Sequence, residues 1–467
     1  MSVLARLDRL PMSKPHYMLL LAGGLGYTFD AMDISLVGFL LPTLSKEWGL
    51  SNSALGLLGA AAPFGYLFGA LIAGMLGDRF GRKPVMLCAL LIYTAFTLVG
   101  AIAPNFEVFA LARILAGVGI GAESAIIAPY LSEFVPPHKR GWFTGSLAGF
   151  FAFGFVLSAL IGRFIVPLPN GWRWAQVICV VPIFMVLWWR RSLSESPRYL
   201  LAHGRAAEAD TIVTKFEAKV RKATGRELPQ PASGVQDKDL MVSNTSFRAA
   251  FKFVLSAGMR RRTLVVWGIW FVNVFGSYGF FTWIPTLLVQ RGIDITKSFD
   301  FSIIIFAAQI PGYFSAAWVS EWLDRKYTIA VYLLGGAASA YWLSQAPNDL
   351  TVLISGAVLS FFMTGATAAT YAYTPELFPT WARASATGLA SSIARIGSIS
   401  APVIIGAISL TWGFAGVFGL TSGIMLAGVI AVMVFGPKAR GRSLEELNEE
   451  ANTSVEQKGE ITPATHP

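Results

Sequence analysis

Four ionisable side chains stand where ionisable side chains are costly. Asp30, Asp33, Glu123 and Arg395 each lie well inside a long apolar run, and Arg113 precedes Glu123 in the same run by about three helical turns. An ionised group at mid-bilayer costs roughly 2.5–3.5 kcal/mol on insertion scales, so it faces a cavity or a partner. Asp30 and Asp33 are three residues apart and share one helical face. Crowded carboxylates can be relieved by a proton, which makes the pair a candidate acceptor that loads and unloads. The other reading is a pair satisfied by Arg113 or by neighbouring polar groups. Glu123 is a second proton-site candidate, or else the partner of Arg113. Arg395 lies about 18 Å along its helix from Arg383 at 1.5 Å per residue, close to mid-bilayer. Its guanidinium needs a counter-charge: a ligand carboxylate matching its planar fork, or one of Asp30, Asp33 and Glu123.

The elements that position these residues are set by composition. The chain has 467 residues, 54% of them hydrophobic and only 14% charged, where soluble domains carry about 25% charged residues. Apolar runs long enough to span a bilayer fall at 17–44, 53–76, 84–103, 106–131, 140–165, 172–190, 262–290, 298–322, 327–345, 349–374, 383–409 and 412–436. The expected fold class is all-α integral membrane, with 12 transmembrane helices. Lys and Arg set the orientation. With the N-terminus inside, about 30 of the 37 fall on that side, so both termini are expected in the cytoplasm. The net charge of +10 is then a topology signal, not a nucleic-acid footprint. Arg6, Arg9 and Lys14 precede a first apolar run that is too long for a signal peptide. Cys88 and Cys179 both lie in apolar runs. They support no disulfide framework or metal site, and no cofactor is expected.

The chain repeats itself. Gly74–Lys83 aligns with Ala317–Lys326, matching Asp78 to Glu321, Arg82 to Arg325 and Lys83 to Lys326. Tyr130–Pro136 aligns with Tyr373–Pro379, and Arg140 and Gly145 match Arg383 and Gly388. Both alignments have an offset of 243 residues. The expected organisation is an N-terminal six-helix bundle (1–190), a linker (191–261), a C-terminal six-helix bundle (262–436) and a charged tail (437–467). The linker is expected to lie on the inner membrane surface, with an amphipathic helix around Glu208–Arg221. The tail is expected to be disordered after a short helix at Ser443–Glu450. Such repeats mark secondary transporters, whose substrate sites lie between the halves near the bilayer midplane.

The residues that repeat also carry a family resemblance. Gly77-Asp78-Arg79-Phe80-Gly81-Arg82-Lys83 is similar to the signature between the second and third helices of the major facilitator superfamily. Arg113 with Gly117 resembles its fourth-helix motif. Glu195-Ser196-Pro197-Arg198 and Gly441–Glu446 resemble sugar-porter signatures, with Ser194 where a proline is usual. Phe29–Asp33, Gly119–Glu123, Gln309–Trp318, Tyr371–Glu376 and Ala394–Gly397 resemble the bacterial niacin (nicotinate) transporters. The neighbouring branches are the aromatic-acid/proton symporters and the sugar porters. The paired seventh-helix glutamines of the sugar porters are absent from Trp267–Pro285.

The resemblance implies a plasma-membrane (bacterial inner-membrane) importer of nicotinate, with nicotinamide as a further candidate cargo, coupled to protons through alternating access and acting as a monomer. Another aromatic or hydroxylated carboxylate, of benzoate or shikimate type, is the alternative substrate. Arg395 then becomes the carboxylate anchor. Trp270, Tyr278 and Tyr371 are candidate walls for a pyridine ring, with Asn273 and Gln309 as donors. Trp142, Trp172, Trp174 and Trp412 are expected as interfacial anchors. The resemblance also implies a cytoplasmic gate at Gly77, Asp78, Gly81 and Arg82; Glu133, Arg140, Glu195, Arg198, Glu321, Arg325, Glu376 and Arg383 lie on the same side and are read as an ion-pair network of that gate, the other reading being ordinary loop charge. Exposed pairs there contribute about 0–1 kcal/mol each, which suits a switch between states of similar energy. An enzyme is not expected: His16, His138, His203 and His466 all fall in loops or tails, away from any nucleophile at membrane depth. A nutrient sensor would need a larger signalling domain than the linker supplies.

Overall fold

A computed structural model of the protein describes residues 2–230, 247–256, 258–378 and 380–437. The expected tail helix at Ser443–Glu450, the Gly441–Glu446 motif and linker positions 231–246 lie outside the described residues. Two compact units are present. One comprises Met1–Val242 with Ile293–Asp300, and the other Ser243–Gly292 with Phe301–Pro467.

The first unit opens with a short helix, α1 (Val3–Asp8), followed by α2 (Lys14–Trp48), α3 (Asn52–Phe80), α4 (Arg82–Ala101), α5 (Phe106–Ser132) and α6 (Pro137–Phe164). Next come α7 (Gly171–Ile178), α8 (Ile183–Ser192), α9 (Pro197–Ala202) and α10 (Ala206–Thr224). After them come α11 (Phe247–Val254), α12 (Arg260–Gln290), α13 (Ile295–Ala307), α14 (Gln309–Trp322), α15 (Arg325–Ser344), α16 (Asp349–Glu376) and α17 (Thr380–Phe435).

Among the described residues ten helical segments are long and apolar enough to cross a membrane. Four expected runs take a different form. The run at 172–190 breaks into α7 and α8 at a turn containing Pro182, and the run at 298–322 breaks at Ala308. The last two runs join in α17, bent at Gly413 with φ 62° and ψ −168°.

Local sequence explains the helix ends and one close approach. Asn105 Oδ1 accepts from Val108 N at 3.0 Å to start α5, and Asn348 Oδ1 accepts from Thr351 N at 2.9 Å to start α16. These two caps are themselves 243 residues apart. Along the seam between α3 and α5, a Cβ on Gly65 would stand 1.8 Å from Ile114 O, and one on Gly117 would stand 2.2 Å from Ala62 O. Only glycine lets the two backbones come this close. The seam fixes α5, and with it Arg113 and Glu123, against its neighbours.

The linker helix α10 is docked, unlike a tether on a membrane surface. Ala209, Val213, Phe216 and Val220 are buried, and Phe216 packs edge-on to His16 with ring centroids 5.1 Å apart. Arg6 and Arg9 both reach Glu217 at 2.5 Å, and Arg6 also pairs with Asp210. His16 is a fully buried residue in the first turn of α2, not a loop residue. Trp172 also departs from expectation. Trp142, Trp174 and Trp412 are about half exposed or more, but Trp172 is buried against Trp48 and Phe109, with its Nε1 donating to Glu47 at 2.6 Å.

Candidate functional site

In the first unit, α2 and α5 bring Asp30, Asp33, Glu123 and Arg113 into the interior, all at 0% exposure. Arg113 Nη1 donates to Asp33 Oδ2 at 2.7 Å, and Nη2 donates to the Asp33 backbone oxygen at 3.0 Å. Thr97 Oγ1 stands 3.5 Å from Asp33 Oδ1. Asp33 is therefore the partner of Arg113. Glu123, although on the same helix as Arg113, does not pair with it.

Asp30 and Glu123 are served differently. Ser124 Oγ donates to Asp30 Oδ2 at 2.7 Å, while Asp30 Oδ1 and both Glu123 oxygens have no hydrogen-bond partner among the described residues. Glu123 lies against Gly26, where a Cβ would stand 2.6 Å from Oε1. Buried polar atoms are almost always partnered. Two buried carboxyl groups thus keep three acceptor oxygens without a partner among the described residues.

In the second unit, α12 and α16 build an aromatic and polar wall. Trp270 and Tyr371 meet edge to face, with ring centroids 4.6 Å apart. Trp270 is buried and Tyr371 is 44% exposed. Trp270 Nε1 donates to Thr374 Oγ1 at 2.8 Å. Asn273 Nδ2 donates to Ile269 O at 3.1 Å and to Thr370 Oγ1 at 2.9 Å, so its hydrogens are spent and it is not the free donor expected. Gln309 opens α14, buried, and its Nε2 has no hydrogen-bond partner among the described residues. Tyr278 is half-buried on α12. Arg395 is half-buried on α17, a little over four turns from its start.

The expected gate residues form a cluster within each unit. In the first, Arg82 pairs with Glu133, whose other oxygen accepts from Ser196 Oγ at 2.6 Å. Burial pushes the Glu133 carboxyl up, and Arg82, Ser196 and Arg198 offset part of that. Glu195 Oε1 accepts from the backbone N–H groups of Arg82 at 3.0 Å and Lys83 at 3.3 Å, capping α4. Arg140 binds Asp8 at 2.6 Å and the carbonyls of Ser132 and Val135. Gly77 is buried and Asp78 exposed. Gly81 turns the chain at φ 100°. In the second, Arg325 pairs with Glu376 at 2.9 Å. Arg383 is half-buried near the start of α17, with Nε and Nη2 lacking hydrogen-bond partners among the described residues. Glu321 is helical, and its side chain lies outside the described residues.

The duplication extends to these contacts. Arg82–Glu133 recurs as Arg325–Glu376. The Tyr130 hydroxyl donates to Ser194 O, and the Tyr373 hydroxyl donates to Pro437 O. Every position in these pairs is displaced by 243 residues.

Residues 24–451 match the family described as sugar (and other) transporter. The chain belongs to that family, within the major facilitator superfamily. It is a multi-pass membrane transporter of small molecules in the bacterial inner membrane, and not an enzyme. Among its relatives, the niacin transporter NiaP of Acinetobacter baylyi is 35% identical over 451 residues, covering 96% of this chain and 100% of that protein. The 4-hydroxybenzoate transporter PcaK of Pseudomonas putida is 28% identical, covering 87% and 90%. The fold is similar to that of the partially occluded, inward-open xylose transporter XylE from E. coli, with a TM-score of 0.73 at 20% identity, covering 92% and 100%.

Several contacts of the transporter carry little signal in the sequence. Ser124 and Thr97 hold the carboxylates, and Thr370 and Thr374 bond the polar atoms of Asn273 and Trp270. Small hydroxyls in apolar helices usually bond their own preceding turn. Ser124 could have been found as the neighbour of Glu123; the others are placed only by the tertiary fold.

Proposed function

We propose that this transporter imports nicotinate together with at least one proton, by alternating access. The observation that carries the proton reading is the trio of unpartnered oxygens on Asp30 and Glu123, in an interior where an ionised carboxylate is costly. The 35% identity to a niacin transporter along nearly the whole chain supports the substrate. The energetics agree. An anion entering against 100 mV, negative inside, works against about 2.3 kcal/mol, and one accompanying proton cancels that charge.

In this reading Asp30 and Glu123 exchange the proton, and Asp33 tunes them through Arg113. Arg395 anchors the substrate carboxylate, and Trp270, Tyr278, Tyr371, Asn273 and Gln309 line the ring. The protein is a monomer with twelve crossings, counting α15 and the two arms of α17 about Gly413. Both termini are cytoplasmic, by the distribution of Lys and Arg. The division into bundles at 1–190 and 262–436 belongs to the same reading, as does the gating role of the Arg82–Glu133 and Arg325–Glu376 pairs.

A second reading is favoured by the 28% identity to a 4-hydroxybenzoate transporter: a proton symporter of hydroxylated aromatic carboxylates. Purified protein in vesicles separates the two. Nicotinate should alkalinise the outside and accumulate with an imposed inward proton gradient, ahead of benzoate, 4-hydroxybenzoate and shikimate. Uptake without alkalinisation rejects symport, and preference for a hydroxybenzoate selects the second reading.

A further inference from the structure

Asn273 has one free end, and its chemistry is fixed by its neighbours. Ile269 O, a carbonyl, can only accept, so the atom 3.1 Å from it is the amide nitrogen. Thr370 Oγ1 gives its single hydrogen to Ala366 O at 2.8 Å and therefore accepts from Asn273. Both Nδ2 hydrogens are thus committed. Trp270 Nε1 is spent on Thr374 Oγ1, whose own hydrogen goes to Thr370 O at 2.9 Å. No donor in this local network remains for Asn273 Oδ1, which has no partner among the described residues and sits on a residue only 4% exposed. A buried carbonyl oxygen in that condition calls for a partner. Asn273 follows Trp270 by three residues on α12, and Thr370, which it bonds, precedes Tyr371; Trp270 and Tyr371 meet edge to face, and the Tyr371 ring is accessible.

The geometry points to Asn273 Oδ1 as a specificity-determining acceptor, which selects aromatic ligands that bring their own hydrogen-bond donor. This deepens the proposed substrate reading and rests on it for the location of the ring. A ring hydroxyl supplies such a donor, and so does a protonated ring nitrogen. An unprotonated pyridine nitrogen or a plain benzene edge does not. Nicotinate therefore meets Asn273 through the N–H of its zwitterion.

The test is the ligand-induced rise in melting temperature of the full chain in detergent, which grows with affinity for the folded state. The probes are benzoate, 3- and 4-fluorobenzoate, and 3- and 4-hydroxybenzoate. At least one hydroxybenzoate should bind roughly tenfold more tightly than benzoate and its fluoro analogue. Asn273→Leu should bring that ratio to about one. Equal affinity of all five probes for the unmodified protein, no shift from either hydroxybenzoate, or an unchanged ratio in Asn273→Leu would overturn the inference. The comparison on the unmodified protein stands even if the variant does not fold. If nicotinate gives no shift and no uptake while the hydroxybenzoate ratio holds, the niacin reading fails and the acceptor assignment survives.

Discussion

Arg113 grips Asp33 at two points, the carboxylate at 2.7 Å and the backbone carbonyl at 3.0 Å, with both side chains wholly buried. The guanidinium thereby ties α5 to α2 and balances one of three interior carboxylates. A buried pair stripped of one partner leaves an uncompensated charge, at a cost of about 3–5 kcal/mol.

That asymmetry gives the first prediction. Arg113→Gln should lower the melting temperature in detergent sharply. Arg113→Gln with Asp33→Asn should recover part of the loss, because no charge is then stranded. A double variant as unstable as the sum of the singles would show that the two residues do not act as a pair.

Asp30 and Glu123 give a prediction about coupling. Asp30→Asn and Glu123→Gln remove the exchangeable proton and keep the shape of the side chain. Each should spare nicotinate exchange across vesicles with equal pH on both sides. Accumulation driven by a pH gradient should drop to the level reached without one. Full gradient-driven accumulation in Glu123→Gln would take Glu123 out of the coupling path. The same result in Asp33→Asn would assign Asp33 to structure alone.

At Arg395 the outcome depends on the ligand. Lysine keeps the charge and loses the two-pronged match to a carboxylate. Arg395→Lys should weaken nicotinate about tenfold or more and nicotinamide much less, by a charge-assisted bond of about 1.5–3 kcal/mol. Equal losses for both ligands would place Arg395 away from the carboxylate.

Glu217 sets a dependence on pH. Burial alone would raise its carboxyl, but hydrogen bonds from Arg6 and Arg9 more than offset this and hold it below the ordinary glutamate range. Its folded-state value is thus lower than its unfolded one. The stabilisation is complete above the unfolded value and is lost as the pH falls through the folded one. Glu217→Gln should cost about 1 kcal/mol near neutral pH. The gap in melting temperature from the unmodified protein should close in acid. A gap that widens in acid would reverse the assigned direction.

These contacts show what the sequence could carry. The apolar runs fix helices because a bilayer leaves the backbone few alternatives, and an ionised residue inside a run announces its own cost. Which carboxylate meets Arg113 is another matter. Asp33 lies 80 residues away and Glu123 only ten, so helical spacing favours neither. The docking of α10 depends on Glu217, which meets Arg6 and Arg9, and on Phe216, which packs on His16 of α2; the amphipathic pattern alone fits a membrane surface equally well. Trp172 reads as an interfacial anchor by residue type, and only the fold reveals Glu47 beside its indole nitrogen. Asn273 looks like a donor until its two hydrogens are followed to Ile269 and Thr370.

Gly81 carries the last prediction. Its φ of 100° and ψ of 154° fall where residues with a side chain are strained. A Cβ would also stand 2.4 Å from Glu195 Oε2. The other oxygen of Glu195 accepts from the first N–H groups of α4, where a carboxylate is favoured by the helix dipole. Gly81→Ala should therefore cost more than backbone strain of about 1–3 kcal/mol, since it also pushes Glu195 off the helix end. Gly81→Ala combined with Glu195→Ala separates the two effects. If the methyl group acts partly through Glu195, the pair should lose less stability than the sum of the single variants. Strict additivity in the melting temperatures would leave strain at Gly81 as the whole effect.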